Sequence, residues 1–316
     1  MKKNDEYNTT GSVKVQADSS LINEILSLKK ERNAVLLAHN YQVPEVQDIA
    51  DLTGDSFELS RAAATMESNV IVFCGVDFMA ETAAILSPEK TVLLPAADAC
   101  CPMAEMITAG ELGLLKSRHP DAAVVCYVNT TAEVKAESDI CCTSSNAVKV
   151  VTSLHEDEVI FVPDRNLARY AARFTKKEIL PWDGFCIVHD QITPEHVKAA
   201  QERYPGAKVV VHPECRPEVI DLSDHVSSTS GMIRYVCTSP DTSFIIGTEI
   251  GILHRIKKEC PAKNCYPLSE SAVCRNMKKT DLSKVRDTLK TLHPRITVPE
   301  DIAYRARHSI ERMLAL

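Results

Sequence analysis

The sequence predicts an α/β fold of three tandem three-layer αβα domains, each with a short parallel sheet, related by an approximate threefold axis. Two observations carry this expectation. First, LLAHNYQVPEV (36–46), VCYVNTTAEV (125–134) and VVHPECRPEV (210–219) repeat one pattern: an apolar run, polar residues two apart, and a helix start ending in Glu-Val. Second, the β-branched runs NVIVF, EVIFV and TSFII alternate with segments of helical spacing such as RAAATMES and NAVKVVTSL. That alternation is the signature of parallel strands buried on both faces.

The elements follow in order. Residues 1–18 are polar and are expected to form a disordered lead-in. A helix over LINEILSLKKERN opens the first domain, 19–120; the second covers 121–205 and the third 206–294. The domains end at RHP, RYP and LHP, and a closing helix lies in 295–316. The repeat is dense. His39, Tyr127 and His212 are separated by 88 and 85 residues, and so are Tyr41, Asn129 and Glu214. Glu45, Glu133 and Glu218 keep the same two separations, as do Asp51, Asp139 and Asp224, and Ser56, Ser144 and Thr229.

The polar pairs sit just past strand ends, where open parallel sheets bind ligands. A lone histidine at such a place is most simply a structural hydrogen-bonder. Six polar residues at equivalent strand ends point instead to a shared site. Ser56, Ser144 and Thr229 precede helical runs, either as simple N-caps or as three helix starts that together favour an anion. No G-x-G-x-x-G or P-loop competes for that role.

Composition narrows the partners. The net charge is −7 with no basic block, which argues against nucleic acid. No apolar run approaches the ~20 residues that span a bilayer, and the N-terminal stretch lacks a signal-peptide core. A cytoplasmic location without a membrane partner is therefore expected. Twelve cysteines without a C-x-x-C disfavour both a disulfide framework and a zinc ribbon. Most of them read as small core filler.

Three cysteines follow the repeat. Cys101, Cys186 and Cys274 precede Pro120, Pro205 and Pro294 by 19, 19 and 20 residues, and Cys100 has no counterparts. Each stands ahead of its domain's last helix, where a lowered thiol pKa is expected. Three soft ligands with no histidine beside them favour an iron–sulfur cluster at the axis over zinc. The alternative is three buried cysteines inherited from a duplicated ancestor. A [4Fe–4S] cube held at three corners leaves one iron open as a Lewis acid.

The motifs HNYQVPEVQDIAD, GDSFELSR, GVDFMAETAAILSPEKTVLLP, YVNTTAEVKAESD, CTSSNA, GFCIVHD, HPEC, SSTSGMI and VCRNMKKTDL resemble those of the quinolinate synthase family over nearly the whole chain. The resemblance implies three αβα domains around an oxygen-sensitive [4Fe–4S] cluster with ligands at Cys101, Cys186 and Cys274 and one open iron. It implies condensation of iminoaspartate (iminosuccinate) with dihydroxyacetone phosphate to quinolinate, phosphate and water in NAD biosynthesis. L-Aspartate oxidase is a possible source of the first substrate by hand-over. Substrate contacts are implied at His39, Ser56, Tyr127, Asn129, Ser144, His212, Glu214 and Thr229. Tyr41 and Glu214 resemble the proton-transfer groups, with His39 beside them. Cys260 and Cys265 depart from the family pattern. They are expected to be inert, with a redox-sensitive disulfide or mis-ligation as alternatives. An iron–sulfur hydro-lyase acting on a hydroxy acid and an iron–sulfur redox sensor are the rival functions.

Overall fold

Each repeat folds as a four-stranded parallel sheet, and the strand order is the same in all three. The computed structural model describes residues 19–316, so the lead-in expected over residues 1–18 lies outside the described residues. Helix α1 (Ser19–Glu31) enters the first sheet: β1 (Ala34–His39), α2 (Pro44–Ile49), β2 (Leu52–Gly54), α3 (Ser56–Thr65), β3 (Val70–Cys74), α4 (Asp77–Leu86), β4 (Thr91–Leu93) and α5 (Ala109–Arg118). The second runs β5 (Ala123–Tyr127), α6 (Ala132–Ala136), β6 (Ile140–Cys142), α7 (Ala147–Ser153), β7 (Glu158–Val162), α8 (Arg165–Ala172), β8 (Glu178–Pro181) and α9 (Pro194–Arg203). The third runs β9 (Lys208–Val211), α10 (Pro217–Ile220), β10 (His225–Val226), α11 (Thr229–Thr238), β11 (Ser243–Gly247), α12 (Ile252–Glu259), β12 (Asn264–Pro267) and α13 (Leu282–Thr291). Helix α14 (Glu300–Leu314) closes the chain.

The sheets are ordered β2-β1-β3-β4, β6-β5-β7-β8 and β10-β9-β11-β12, with every pair parallel. Chain order reverses between the first and third strands of each sheet, the switch point where a crevice opens. Strand residues alternate between faces. Val35, Leu37, Ile71 and Phe73 enter a core continuous with the second sheet, whereas Leu36, Ala38, Val70 and Val72 pack with Ile25, Val285 and Leu289 of α1 and α13. Both faces are therefore covered, which explains the near-unbroken apolar strands. Ala306, Ile310 and Met313 carry α14 into the same continuous core, tying the first two sheets together. Among the described residues, no helix is long and apolar enough to cross a membrane.

Part of the sequence repeat is structural. Asp51, Asp139 and Asp224 each accept a backbone N–H from the first strand of their own sheet, at Leu36, Val124 and Val209, over 2.8, 2.7 and 2.8 Å. Glu45, Glu133 and Glu218 lie in the first turns of α2, α6 and α10, where a negative charge suits the helix dipole.

The expectation for Cys260 needs correction. Cys74, Cys126, Cys141, Cys142 and Cys215 are buried filler. Cys260, however, bonds to Cys237 with a Cα–Cα distance of 5.4 Å, and Cys265 stays a free thiol. The physical reason is direction. Cys260 caps α12 beside the end of α11, whereas Cys265 lies on β12 opposite Phe244.

Replacing Asp139 by alanine strands the Val124 N–H at a cost of about 1–2 kcal/mol. The urea midpoint should fall with an unchanged slope. The exposed Glu133→Gln should move it by less than ~0.5 kcal/mol.

Candidate active site

The carboxyl ends of the strands in all three sheets open on one cavity of about 740 Å³. First strands deliver His39, Tyr127 and His212, and the residues two further on are Tyr41, Asn129 and Glu214; all six line it. The chains leaving the second strands contribute Ser56, Ser144 and Thr229, and those leaving the fourth strands contribute Cys101, Cys186 and Cys274. The structure thus brings every residue expected in the site to one space. Cys100 lines it as well.

The two-residue spacing has a physical cause. His39 Nδ1 accepts the Tyr41 backbone N–H at 3.2 Å, and His212 Nδ1 accepts the Glu214 N–H at 3.4 Å. With Nδ1 an acceptor, a neutral ring carries its proton on Nε2. His212 Nε2 lies 3.2 Å from Ser144 Oγ. Burial pushes both imidazoles down to about 3, so each is a neutral Nε2–H donor at working pH.

Glu214 is the hub. It accepts a hydrogen bond from the Tyr127 hydroxyl, and its Oε2 lies 2.6 Å from His189 Nδ1 and 3.7 Å from His212 Nδ1. Burial opposes its charge, whereas the His189 ring and the Tyr127 hydroxyl that face it favour the ionised carboxylate and hold its pKa below the usual range. Burial first, and then the Glu214 charge, raise both Tyr41 and Tyr127 well above the usual phenol range. The site therefore pairs an ionised carboxylate with neutral phenols. A chain continues from His189 Nε2 to Thr248 Oγ1 at 2.7 Å and on to the Tyr41 hydroxyl at 2.6 Å.

His189 and Thr248 escaped the sequence reading. His189 stands three residues after Cys186, so the expectation that no histidine accompanies the cysteines is corrected. Its repeat counterparts after Cys101 and Cys274 are Ala104 and Met277. A search for repeated residues discards it; the spacing within GFCIVHD was the available signal.

The capping expectation is also corrected. Asp55 and Ser228 cap α3 and α11, while Ser56 and Thr229 are the first helical residues. Ser144 lies three residues before α7, so only two helix starts face the cavity with it. Asp55 and Ser228 are repeat equivalents and bond each other at 3.0 Å, locking the first domain to the third. Asn40 Nδ2 donates to Thr229 Oγ1 at 2.8 Å, and Arg255 donates to the Asn40 side-chain oxygen Oδ1 at 2.6 Å. Thr229 thus keeps its own proton for a ligand.

The three thiols do not behave as helix-start thiolates. Burial raises the pKa of Cys101, Cys186 and Cys274. A short 3-10 turn, Ala104–Met106, separates Cys101 from α5, so the helix dipole acts from too far away. Local amides still converge on the sulfurs: those of Met103 and Ala104 on Cys101, of His189 on Cys186, and of Asn276 and Met277 on Cys274. N–H donors around cysteine sulfur suit a thiolate bound to metal. Gly184 makes room for the Cys186 turn, since a Cβ there would stand 2.5 Å from the Pro163 carbonyl. A tighter donor set is present too: ligand atoms of Cys186, His189 and Glu214 lie within 4.8 Å of one another. That spacing fits a single ion, whereas cysteines on a cube bind different irons and stand further apart.

Comparisons with known proteins agree on a family. The model described as "Quinolinate synthetase A protein" matches residues 23–315. The chain is 73% identical over 300 residues to "Quinolinate synthase" of Methanoregula boonei, covering 95% of this chain and 99% of that protein. It is 60% identical over 297 residues to "Quinolinate synthase" of Desulforudis audaxviator, covering 94% and 98%. Over 301 residues it is 54% identical to "Quinolinate synthase 1" of Methanosarcina acetivorans, covering 95% and 98%.

The neutral histidines make stability depend on pH. Between about 3 and ~6.5 an unfolded histidine holds a proton that His212 in the fold refuses, so folding weakens as pH falls through that window. His212→Asn removes this term. The stability gap between wild type and variant should narrow by up to ~1.4 kcal/mol per pH unit below ~6.5. Anaerobic urea titrations from pH 7 to pH 4 measure it, and a constant gap would count against a neutral His212.

Proposed function

Because this chain belongs to the quinolinate synthetase A family and is an enzyme of NAD biosynthesis, we propose that its cavity condenses iminoaspartate with dihydroxyacetone phosphate to quinolinate, phosphate and two waters. The observation that carries the proposal is the Glu214 hub: an ionised carboxylate, two neutral phenols and two neutral imidazoles around one cavity. Condensation, isomerisation and dehydration each need staged proton transfer, and this set holds acids and a base together.

The cavity also carries a donor set for metal. Cys101, Cys186 and Cys274, one from each domain, would hold a [4Fe–4S] cluster with one iron open. Bound there, the cluster would supply a Lewis acid for a departing hydroxyl. The donor chemistry supports this: three cavity thiols, each met by amides of its own following turn.

The chain's own residues would do the rest. His39 and His212 donate Nε2–H to substrate carboxylates. Ser56, Ser144 and Thr229 donate hydroxyls to the remaining anionic oxygens. Asn129 keeps a buried side-chain oxygen without a partner among the described residues, a natural acceptor for a ligand N–H or O–H. Tyr127 lends its proton to Glu214. A substrate that draws Tyr127 or His189 away from Glu214 removes the stabilising contact and raises the carboxylate's basicity. Tyr41, joined to His189 through Thr248, serves as the second proton carrier.

The substrates are small and anionic. L-Aspartate oxidase is the proposed source of iminoaspartate, and the cytoplasm the proposed location. An iron–sulfur hydro-lyase would use the same cavity, but it would form no quinolinate from the two substrates.

Protein purified without oxygen should be brown, bleach in air, and form quinolinate from iminoaspartate and dihydroxyacetone phosphate. Glu214→Gln should retain iron, sulfide and melting behaviour while the rate falls ~10²-fold or more; near-normal turnover removes Glu214 from the mechanism. Cys101→Ala should lose iron and sulfide and Cys100→Ala should keep them. The reverse result would assign the ligand to the wrong neighbour.

A further inference from the structure

Each domain sets one carboxylate beneath its cysteine. Asp77, Asp164 and Glu249 follow β3, β7 and β11, and they are separated by 87 and 85 residues. Asp164 Oδ2 accepts the Cys186 backbone N–H at 3.2 Å, and Glu249 Oε1 accepts the Cys274 N–H at 3.2 Å. Asp77 accepts the Cys101 N–H. A second set of bonds fixes each carboxylate. Asp164 Oδ1 accepts the Asn166 and Leu167 N–H groups at 2.8 Å each. Asp77 Oδ1 accepts the Phe78 N–H at 2.8 Å, and Glu249 Oε2 accepts the Gly251 N–H at 2.7 Å. The side chain changes from Asp to Glu in the third domain, yet the acceptor still reaches the same amide.

We propose that Asp77, Asp164 and Glu249 are positioning residues for the three cysteines that would hold the metal group. Each carboxylate takes up the cysteine's own N–H and so fixes the backbone with the thiol toward the cavity. The amides two and three residues on are then left to donate to the sulfur. Partners around metal-binding side chains act in this way, by fixing their orientation. The inference rests on the three cysteines holding the cluster.

The three positions differ in their neutralising partners. Lys278 Nζ stands 3.0 Å from Glu249 Oε1. The buried Lys135 opposes Asp77 from further off. Asp164 is fully buried and forms no ion pair among the described residues. Burial first, and then the Glu214 charge, hold the Asp164 carboxyl well above the usual carboxylate range, so it acts on Cys186 through its hydrogen bond rather than through a charge. Asp190 offers a control: it lies four residues from Cys186, but its carboxylate is held by Arg165, Asn166 and Arg216 and reaches no cysteine amide.

The test uses anaerobically purified full-length protein and reads iron and sulfide per chain. Asp164→Ala and Glu249→Ala should at least halve the iron content. Asp164→Asn keeps one acceptor oxygen that can take the Cys186 N–H, and it should retain more iron than Asp164→Ala. Asp190→Asn should leave the iron content unchanged. Should Asp164→Ala fail to fold, Glu249→Ala carries the test. Full iron in the alanine variants, or iron lost from Asp164→Asn as fully as from Asp164→Ala, overturns the proposal. Wild-type protein without iron or sulfide overturns the cluster itself, a separate and recognisable failure.

Discussion

A parallel sheet must send every connection back across one of its faces, so all its strands finish at the same end. In this chain that constraint is applied three times. The first strands end at the imidazole and phenol pairs. The second strands lead to Ser56, Ser144 and Thr229. The third lead to Asp77, Asp164 and Glu249, and the fourth to Cys101, Cys186 and Cys274. One rule of strand polarity thus delivers three kinds of chemistry, each in three copies, to a common cavity, with Glu249 lining it and Asp77 and Asp164 set behind the cysteines. Apolar burial on both faces keeps the strands in place, and α14 and the Asp55–Ser228 bond hold sheets against one another.

The cavity departs from threefold symmetry where its chemistry requires difference. Three equivalent histidines would give three equivalent donors and no base. Here the repeat positions hold His39, Tyr127 and His212, followed by Tyr41, Asn129 and Glu214. Only one of the six is ionised at neutral pH. Its neighbours adapt to it: the phenols stay protonated, and the Tyr127 hydroxyl donates to it. A duplicated scaffold supplies positions, and substitution at those positions supplies distinct acids and a base.

Legibility in the sequence follows the same division. The three sheets could be read because burial on both faces leaves long apolar runs and because the repeat fixes their phase. Cys101, Cys186 and Cys274 could be read for the second reason. His189 could not, because it breaks the repeat. Neither could Thr248 or Asn40, whose roles arise from hydrogen bonds spanning 59 and 189 residues of chain. The cap assignments slipped by one residue because Asp55 and Ser228 precede the repeat-matched Ser56 and Thr229, and both of each pair are residue types that favour helix starts. The Cys237–Cys260 bond depends on how α11 lies along α12, which spacing alone does not encode.

The direction of the thiol pKa values bears on the proposed metal loading of the cavity. Burial alone keeps Cys101, Cys186 and Cys274 protonated, and the nearby Glu214 charge adds to that for Cys101 and Cys186. Thiolate is the ligand form, so the proposed loading would release protons, and the affinity for metal would rise with pH. The local amides that converge on the sulfurs oppose burial in the thiolate's favour, but too weakly to win alone. A bound cation would supply what they lack, since coordination deprotonates a thiol outright. The carboxylates beneath the cysteines act at a different atom, the backbone N–H, and so leave the sulfurs free for the proposed metal.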